Sequence, residues 1–235
     1  MVKESSFNNP SISYQESSPK HRSLRWRIAQ RLERLWWRRY LRNKRPEAYL
    51  NEKKAYWQRV LAELDWHPVP GRRVLDAGCG PAGIFIHLHQ TEHVTALDPL
   101  LDRYAAELEV FDQAAYPEVT FLQQPLEQPM EMQAFSAIYC FNAINHVADW
   151  ALALDNLTAV AAPGCRMILT SDVHRHRWLE PVFRTLPGDV LHPQQHNAAD
   201  YRKALSDRGW EIDREVRLRR ESIFAYVAWV VSMPK

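Results

Sequence analysis

Between residues 73 and 171, five apolar runs of strand length alternate with stretches of helical periodicity, and this order narrows the possible folds most. The runs are RVLDA (73–77), HVTALD (93–98), VTFLQ (119–123), FSAIYCF (135–141) and CRMILTS (165–171), and the helical stretches are 83–90, 100–114 and 149–161. Strands joined through helices pair in parallel, so the pattern predicts a Rossmann-like α/β sheet with helices on both faces. The remainder of the chain departs from that rhythm. A helix over 198–210 is opened by Asn197 with Asp200 three residues on, close to a capping box. Two strands, 211–218 and 222–232, follow with only a few polar residues between them, which predicts an antiparallel hairpin. The sheet is thus expected to be mostly parallel, with one antiparallel strand.

The first strand runs into VLDAGCGPAG, where Gly78, Gly80 and Gly83 break the chain before a helical stretch. Glycines here let a ligand approach the backbone, whose N–H groups face outward at a helix start. Asp98 ends the next strand twenty residues after Gly78, the distance at which a carboxylate meets a ribose diol. A dinucleotide brings a pyrophosphate, which an anion near the turn repels. Asp76 lies two residues before Gly78, at the expected mouth of the site. An adenosyl cofactor with an ammonium and a sulfonium, S-adenosylmethionine, suits that charge.

Four segments, VLDAGCGPAG, VTALDP, FSAIYCFNAINHV and APGCRMIL, then occur in an order and spacing that resemble the class I S-adenosylmethionine-dependent methyltransferases of the small-molecule type. The resemblance spans about residues 72–233. It implies a seven-stranded sheet in the order 3-2-1-4-5-7-6 with strand 7 antiparallel. By the same resemblance, Asp76, Gly78, Cys79 and Gly80 wrap the methionine part of the cofactor. Asp98 with Pro99 takes the ribose, and the Phe141 carbonyl receives the ammonium. At the adenine the sequence departs from the family: Gln124-Pro125-Leu126 stands where many relatives have Gly-Asp-Ala, leaving Gln124 and Leu126 as the candidates. Ala82 likewise replaces the usual third glycine, with Gly83 one place later.

Methyl transfer is an in-line displacement, for which the protein supplies orientation, desolvation and, for a protonated acceptor, a base. His146, His192 and His196 are candidate bases or acceptor-orienting groups. Tyr49, Tyr56, Trp57, Asn142 and His174 are candidate walls of the acceptor pocket. No spacing of ligands predicts a metal site. Cys79 reads as a small filler in the turn and not as a nucleophile, and Cys140 and Cys165 as core.

The first 45 residues carry twelve Lys or Arg against three Glu, so a local +9 leaves −7 for the rest of a chain of net charge +2. Residues 1–20, rich in Ser, Asn and Pro, are expected to be disordered. Residues 21–70 are expected to form a basic, Trp-rich helical extension or lid, and 71–235 the methyltransferase domain. In the first helix Leu24, Ile28, Leu32, Leu35 and Trp36 share one face, ringed by arginines. That face either packs on the domain as a lid or, through residues 22–45, lies peripherally on a membrane. A third reading, RNA binding, ranks last because the base-methylating motif Asp-Pro-Pro-Tyr is missing.

No run is long enough to span a bilayer, the opening does not read as a secretory signal, and three scattered cysteines give no disulfide framework. A cytoplasmic protein is expected. The sequence therefore predicts an S-adenosylmethionine-dependent methyltransferase acting on a small, aromatic or lipid-like acceptor, at oxygen before nitrogen or carbon. The rivals are an RNA methyltransferase, a non-catalytic binding protein on the same fold and a dinucleotide-dependent reductase.

Overall fold

The computed structural model describes residues 24–131, 134–174, 196–220 and 224–235. Two helices, α1 (Leu24–Leu41) and α2 (Pro46–Glu63), precede a seven-stranded sheet. The sheet elements follow as β1 (Arg73–Ala77), α3 (Phe85–Leu88), β2 (His93–Leu97), α4 (Leu101–Glu107), β3 (Thr120–Leu122) and β4 (Phe135–Phe141). After these come α5 (Trp150–Ala159), β5 (Ala161–His174), α6 (Ala198–Ser206), β6 (Glu211–Arg220) and β7 (Phe224–Ser232). The strand order is 3-2-1-4-5-7-6. Strands β3, β2, β1, β4 and β5 are parallel, and β7 alone runs the other way, between β5 and β6. The expected disordered segment 1–20 and His192 lie outside the described residues.

Burial on both faces explains why the inner strands are almost wholly apolar. Along β1, Val74 joins the core beneath α2, α3 and α4, and Leu75 the core beneath α5 and α6. Cys140 and Cys165 are buried in the second core. The helix ends carry the caps legible in the sequence. Asn197 Oδ1 accepts from the N–H of Ala199 and Asp200 at 2.9 and 3.0 Å, and Asp200 Oδ2 accepts from Asn197 N–H at 3.1 Å. Several elements differ in length from the sequence expectation, among them α6, which ends at Ser206, and β3, which is only Thr120–Leu122. The helix after the glycines is a 3₁₀ turn (Gly80–Ala82) and then the single turn of α3, α4 stops at Glu107, and β5 is longer at both ends.

At the edge of the sheet opposite the strand C-termini, Glu92 is buried and binds Arg72. Its Oε1 lies 2.6 Å from the Arg72 guanidinium, and its Oε2 accepts from the Tyr139 hydroxyl at 2.9 Å. Trp66 Nε1 donates to the same hydroxyl at 3.0 Å. This network ties the link after α2 to β4, fixing α2 against the sheet.

Helix α1 docks by the face opposite to the apolar stripe. Gln30, Glu33, Arg34, Trp37 and Leu41, spaced by three, one, three and four, are the less exposed positions. Tyr104 of α4 donates to Glu33 Oε1 at 3.3 Å, and Arg34 Nε lies 3.5 Å from Glu107 Oε2. Leu32, Leu35, Trp36 and Tyr40 are exposed, Leu35 at 45 % and Trp36 at 48 %. The physical reason lies in what α4 offers, a phenol and a carboxylate that pair with Glu33 and Arg34 and not with leucines. No helix of the described residues is long and apolar enough to cross a membrane.

Candidate active site

The parallel strands end on one edge of the sheet, and the glycine turn is built there. The N–H groups of Gly78 and Cys79 both donate to the carbonyl of Leu97, at 2.7 and 3.0 Å, pinning the turn to the end of β2. Gly78 sits at φ +72° and Gly80 at φ +58°, left-handed conformations that favour glycine. A Cβ on Gly78 would in addition collide with Ala143 Cβ. Gly83 has an ordinary φ, but a Cβ there would run into Asp76 Oδ2 and the Cys79 carbonyl. The displaced third glycine is therefore set by the Cys79 backbone and the Asp76 carboxylate together.

Two carboxylates organise the turn. Asp98 Oδ2 accepts from Gly80 N–H at 3.0 Å and Oδ1 from Leu100 N–H at 2.8 Å, so one side chain joins the glycine turn to the start of α4. Asp76 is buried beneath the turn, its Oδ2 accepting from Phe85 N–H at 3.0 Å. It faces α3 and is not part of the cavity wall, whereas the sequence places it at the mouth. Burial, with the neighbouring Asp98 charge, pushes Asp76 up to about 7, and burial pushes Asp98 up to about 6. Burial also holds the Cys79 thiol well above its ordinary range, which leaves no thiolate nucleophile in the turn.

A cavity of about 710 Å³ opens over this edge, within the size range of small-molecule sites. One end is floored by Gly78, Cys79, Gly80, Asp98 and Pro99 and flanked by Pro125, Leu126 and Glu127. Gln124 is not in that wall; its amide donates to the Gln128 carbonyl at 3.4 Å. The roof comes from both N-terminal helices. Trp57 Nε1 donates to the Ala82 carbonyl at 3.2 Å, which locks α2 onto the turn. Trp37 of α1 stands over Gly80, its ring 3.9 Å from where a Cβ would project. Gln30 Oε1 is buried in this wall with no hydrogen-bond partner among the described residues, an acceptor open to a ligand's donor.

The other end is walled by Tyr56, Trp57, Phe141, Asn142, His146 and Tyr226. Trp57 and Phe141 pack with ring centroids 4.8 Å apart. Asn142, at φ +51°, donates its N–H to Thr170 Oγ1 at 2.9 Å, and that hydroxyl lies 2.6 Å from the Tyr226 hydroxyl. The Tyr56 hydroxyl is a neighbour of Tyr226 in the same wall. Asp172 lies beside Tyr226 across β5 and β7, and Arg219 beside it across β6 and β7, forming a polar row at the cavity edge.

The other candidates from the sequence lie elsewhere. His196 stacks on Trp150 at the start of α6, centroids 3.7 Å apart, and Tyr49 is buried edge-on against Tyr40. Neither is in the cavity wall. His174 ends β5, its backbone paired with Phe224. Lys53, Asp172, Arg219 and Tyr226 are wall residues that the sequence reading does not single out. For Lys53 a signal exists, since it stands three and four residues before Tyr56 and Trp57, on the same helical face.

A family model described as a methyltransferase domain matches residues 22–215. The chain is 31% identical over 140 residues to a malonyl-[acyl-carrier protein] O-methyltransferase of Erwinia billingiae, a match covering 54% of either chain. It is 28% identical over 109 residues to a chloroplastic tocopherol O-methyltransferase of Arabidopsis thaliana, covering 45% of this chain and 31% of that one. The aligned stretch thus spans about half the length of the first relative and a third of the second. Among solved structures, the magnesium protoporphyrin IX methyltransferase of Synechocystis PCC 6803 superposes with a TM-score of 0.58 at 21% identity. That match covers 88% of this chain and 99% of that one.

Proposed function

The chain belongs to the class I S-adenosylmethionine-dependent methyltransferase family, and on that premise we propose that it transfers a methyl group to an oxygen of a small, aromatic or lipid-like acceptor. One observation carries the reading. A single cavity runs from the glycine turn and Asp98 to a compartment of aromatic rings and hydroxyls, so a cofactor and an acceptor fit end to end under one roof. The names of the two curated relatives, both O-methyltransferases, support oxygen as the acceptor atom.

The residues present fit the cofactor. The left-handed turn at Gly78 and Gly80 leaves backbone bare where a ligand approaches. Asp98 lies where its carboxylate would accept from ribose hydroxyls, and Gln30 Oε1 is an unused acceptor in the same wall. Leu126 would cover the adenine face, and the Phe141 carbonyl would receive the ammonium. When bound, S-adenosylmethionine supplies a methyl group already activated by the sulfonium. The protein's share is then placement and exclusion of water. The packed pair Trp57 and Phe141 offers the acceptor one apolar wall, and the two N-terminal helices close the cleft as a lid. His146, in the wall beside Asn142, is the histidine placed to take a proton from an acceptor hydroxyl.

Calorimetry with S-adenosylhomocysteine and NADH side by side tests the reading. One-site binding of the first and none of the second is expected. Failure to bind the first would sink it in favour of a non-catalytic protein.

A second reading concerns α1, and the exposure of Leu32, Leu35, Trp36 and Tyr40 favours it. An apolar stripe turned to solvent and ringed by Arg31, Arg38, Arg39 and Arg42 is the composition of an interfacial helix on an anionic lipid surface. Lid and membrane contact then use different faces of one helix, with Trp36 at their boundary, partly exposed and at the cavity rim.

A further inference from the structure

We propose that the acceptor is bound as an anion, its carboxylate or ionised hydroxyl held by Lys53, which deepens and rests on the methyltransferase reading of the same cavity. Lys53 projects from α2 into the wall of the aromatic compartment. Its Nζ lies 4.6 Å from the centroid of the Tyr56 ring and 4.8 Å from that of Trp57. Two π-faces stabilise the ammonium, but they are no counter-ion. Among the described residues it forms no ion pair. Burial lowers its pKa to about 8, with Lys44 adding to the shift and the exposed carboxylate of Glu52, next in the chain, only partly opposing it.

The acids in and beside the cavity wall do not fill that role, and Glu127 accepts from the N–H groups of Ala148 and Asp149 at 2.6 and 3.3 Å. Glu33 is engaged by the Tyr104 hydroxyl at 3.3 Å. Asp172 belongs to the cross-strand row with Tyr226 and Arg219. Glu63 is at the far end of α2, on the order of 15 Å along the helix axis. Asp98 and Asp76 belong to the glycine turn, at the cofactor end. An anion entering the cavity is therefore repelled from the turn and drawn to the end where Lys53 and Arg219 stand, with Lys53 the cation set against the ring faces. The ring faces of Tyr56, Trp57 and Phe141 select a flat or conjugated body to carry the charge.

An acceptor that arrives ionised needs no general base, because no proton has to leave its oxygen, and His146 would then serve only an acceptor that arrives protonated. On methyl transfer the anion becomes a neutral ester or ether, the sulfonium becomes a neutral thioether, and one proton is neither gained nor lost by the protein. Lys53 then loses its counter-ion, which favours release of the product.

Matched probes test this on the full chain loaded with S-adenosylhomocysteine. 1-Naphthoate and 1-naphthamide share shape and differ in charge. Naphthoate is expected to bind about tenfold more tightly. Lys53→Met should reduce that preference to about twofold or less and Lys53→Arg should keep most of it. Cofactor affinity should stay unchanged in both, which separates loss of an acceptor contact from misfolding. Equal or undetectable binding of the two probes, or a preference that survives Lys53→Met, overturns the proposal. If S-adenosylhomocysteine itself does not bind, the methyltransferase reading fails, while the probe comparison on the free chain still decides the anion site.

Discussion

Asp98 accepts the backbone N–H of Gly80 at 3.0 Å, so the carboxylate assigned to the ribose also shapes the turn that the cofactor would lie against. Asp98→Ala is therefore expected to weaken S-adenosylhomocysteine binding by about 1–3 kcal/mol, the range for charged hydrogen bonds. Circular dichroism should show the sheet intact. Asp98→Asn, which retains an acceptor oxygen, should lose less. An affinity unchanged in Asp98→Ala would remove this residue from the site.

Affinity for the cationic cofactor should rise with pH. Asp98, pushed up to about 6, and Asp76, pushed up to about 7, are increasingly neutral below those values and become anionic above them. A positive ligand favours the ionised pair, so S-adenosylmethionine should bind more tightly from pH 5.5 to 7.5 and release protons near pH 6. Stability of the ligand-free protein runs the other way. Both folded-state values exceed the ordinary carboxylate value, so between about pH 4 and 7 the folded chain holds more protons than the unfolded one. Their contribution is complete at low pH and lost as pH rises through 6 and 7. Asp76→Asn should flatten that slope in a series of urea titrations.

Gly78→Ala meets two obstacles, the positive φ and the collision with Ala143 Cβ. We expect it to abolish measurable cofactor binding and to cost on the order of 1–3 kcal/mol in stability. Adding Ala143→Gly relieves the collision and leaves the φ penalty, so the double variant should recover part of the stability. Full recovery would show that backbone conformation matters little there.

Deleting α1 removes lid and stripe together, so point substitutions are needed to separate them. Leu32→Glu with Leu35→Glu should abolish sedimentation with phosphatidylserine vesicles and leave cofactor affinity unchanged. Trp37→Ala, on the other face, should weaken cofactor binding and spare sedimentation. If the wild-type chain does not sediment at low salt, the membrane reading is wrong.

Glu92→Gln breaks a buried ion pair and leaves Arg72 without its charge partner. A loss of about 3 kcal/mol in urea unfolding is expected. Cofactor affinity of the folded fraction should not move, because the network sits at the opposite edge of the sheet from the glycine turn.

The sheet was legible because its signals are local. Apolar runs broken by helical stretches gave the parallel strands, and Asn197 with Asp200 gave the start of α6. Asp98 was within reach for the same reason, since the chain passes from the turn to the end of the neighbouring strand in twenty residues. The acceptor end was not. Asp172, Tyr226 and Arg219 become neighbours only through the β5, β7 and β6 register, which no local spacing encodes. Helix α1 shows a different limit. Periodicity finds an apolar face, but Glu33 and Arg34 find Tyr104 and Glu107, and those partners decide which face docks.

The roof over the cleft, α1 and α2, is one unbroken stretch of chain, Leu24 to Glu63, whereas the floor is gathered from distant strand ends. In genetic terms the roof is a cassette. A single recombination event upstream of β1 would replace Lys53, Tyr56, Trp57 and Trp37 together and leave every strand pairing of the sheet in place. The roof's share of the cavity wall can then be inherited separately from the share that Phe141, Asn142, His146 and Tyr226 contribute from the sheet.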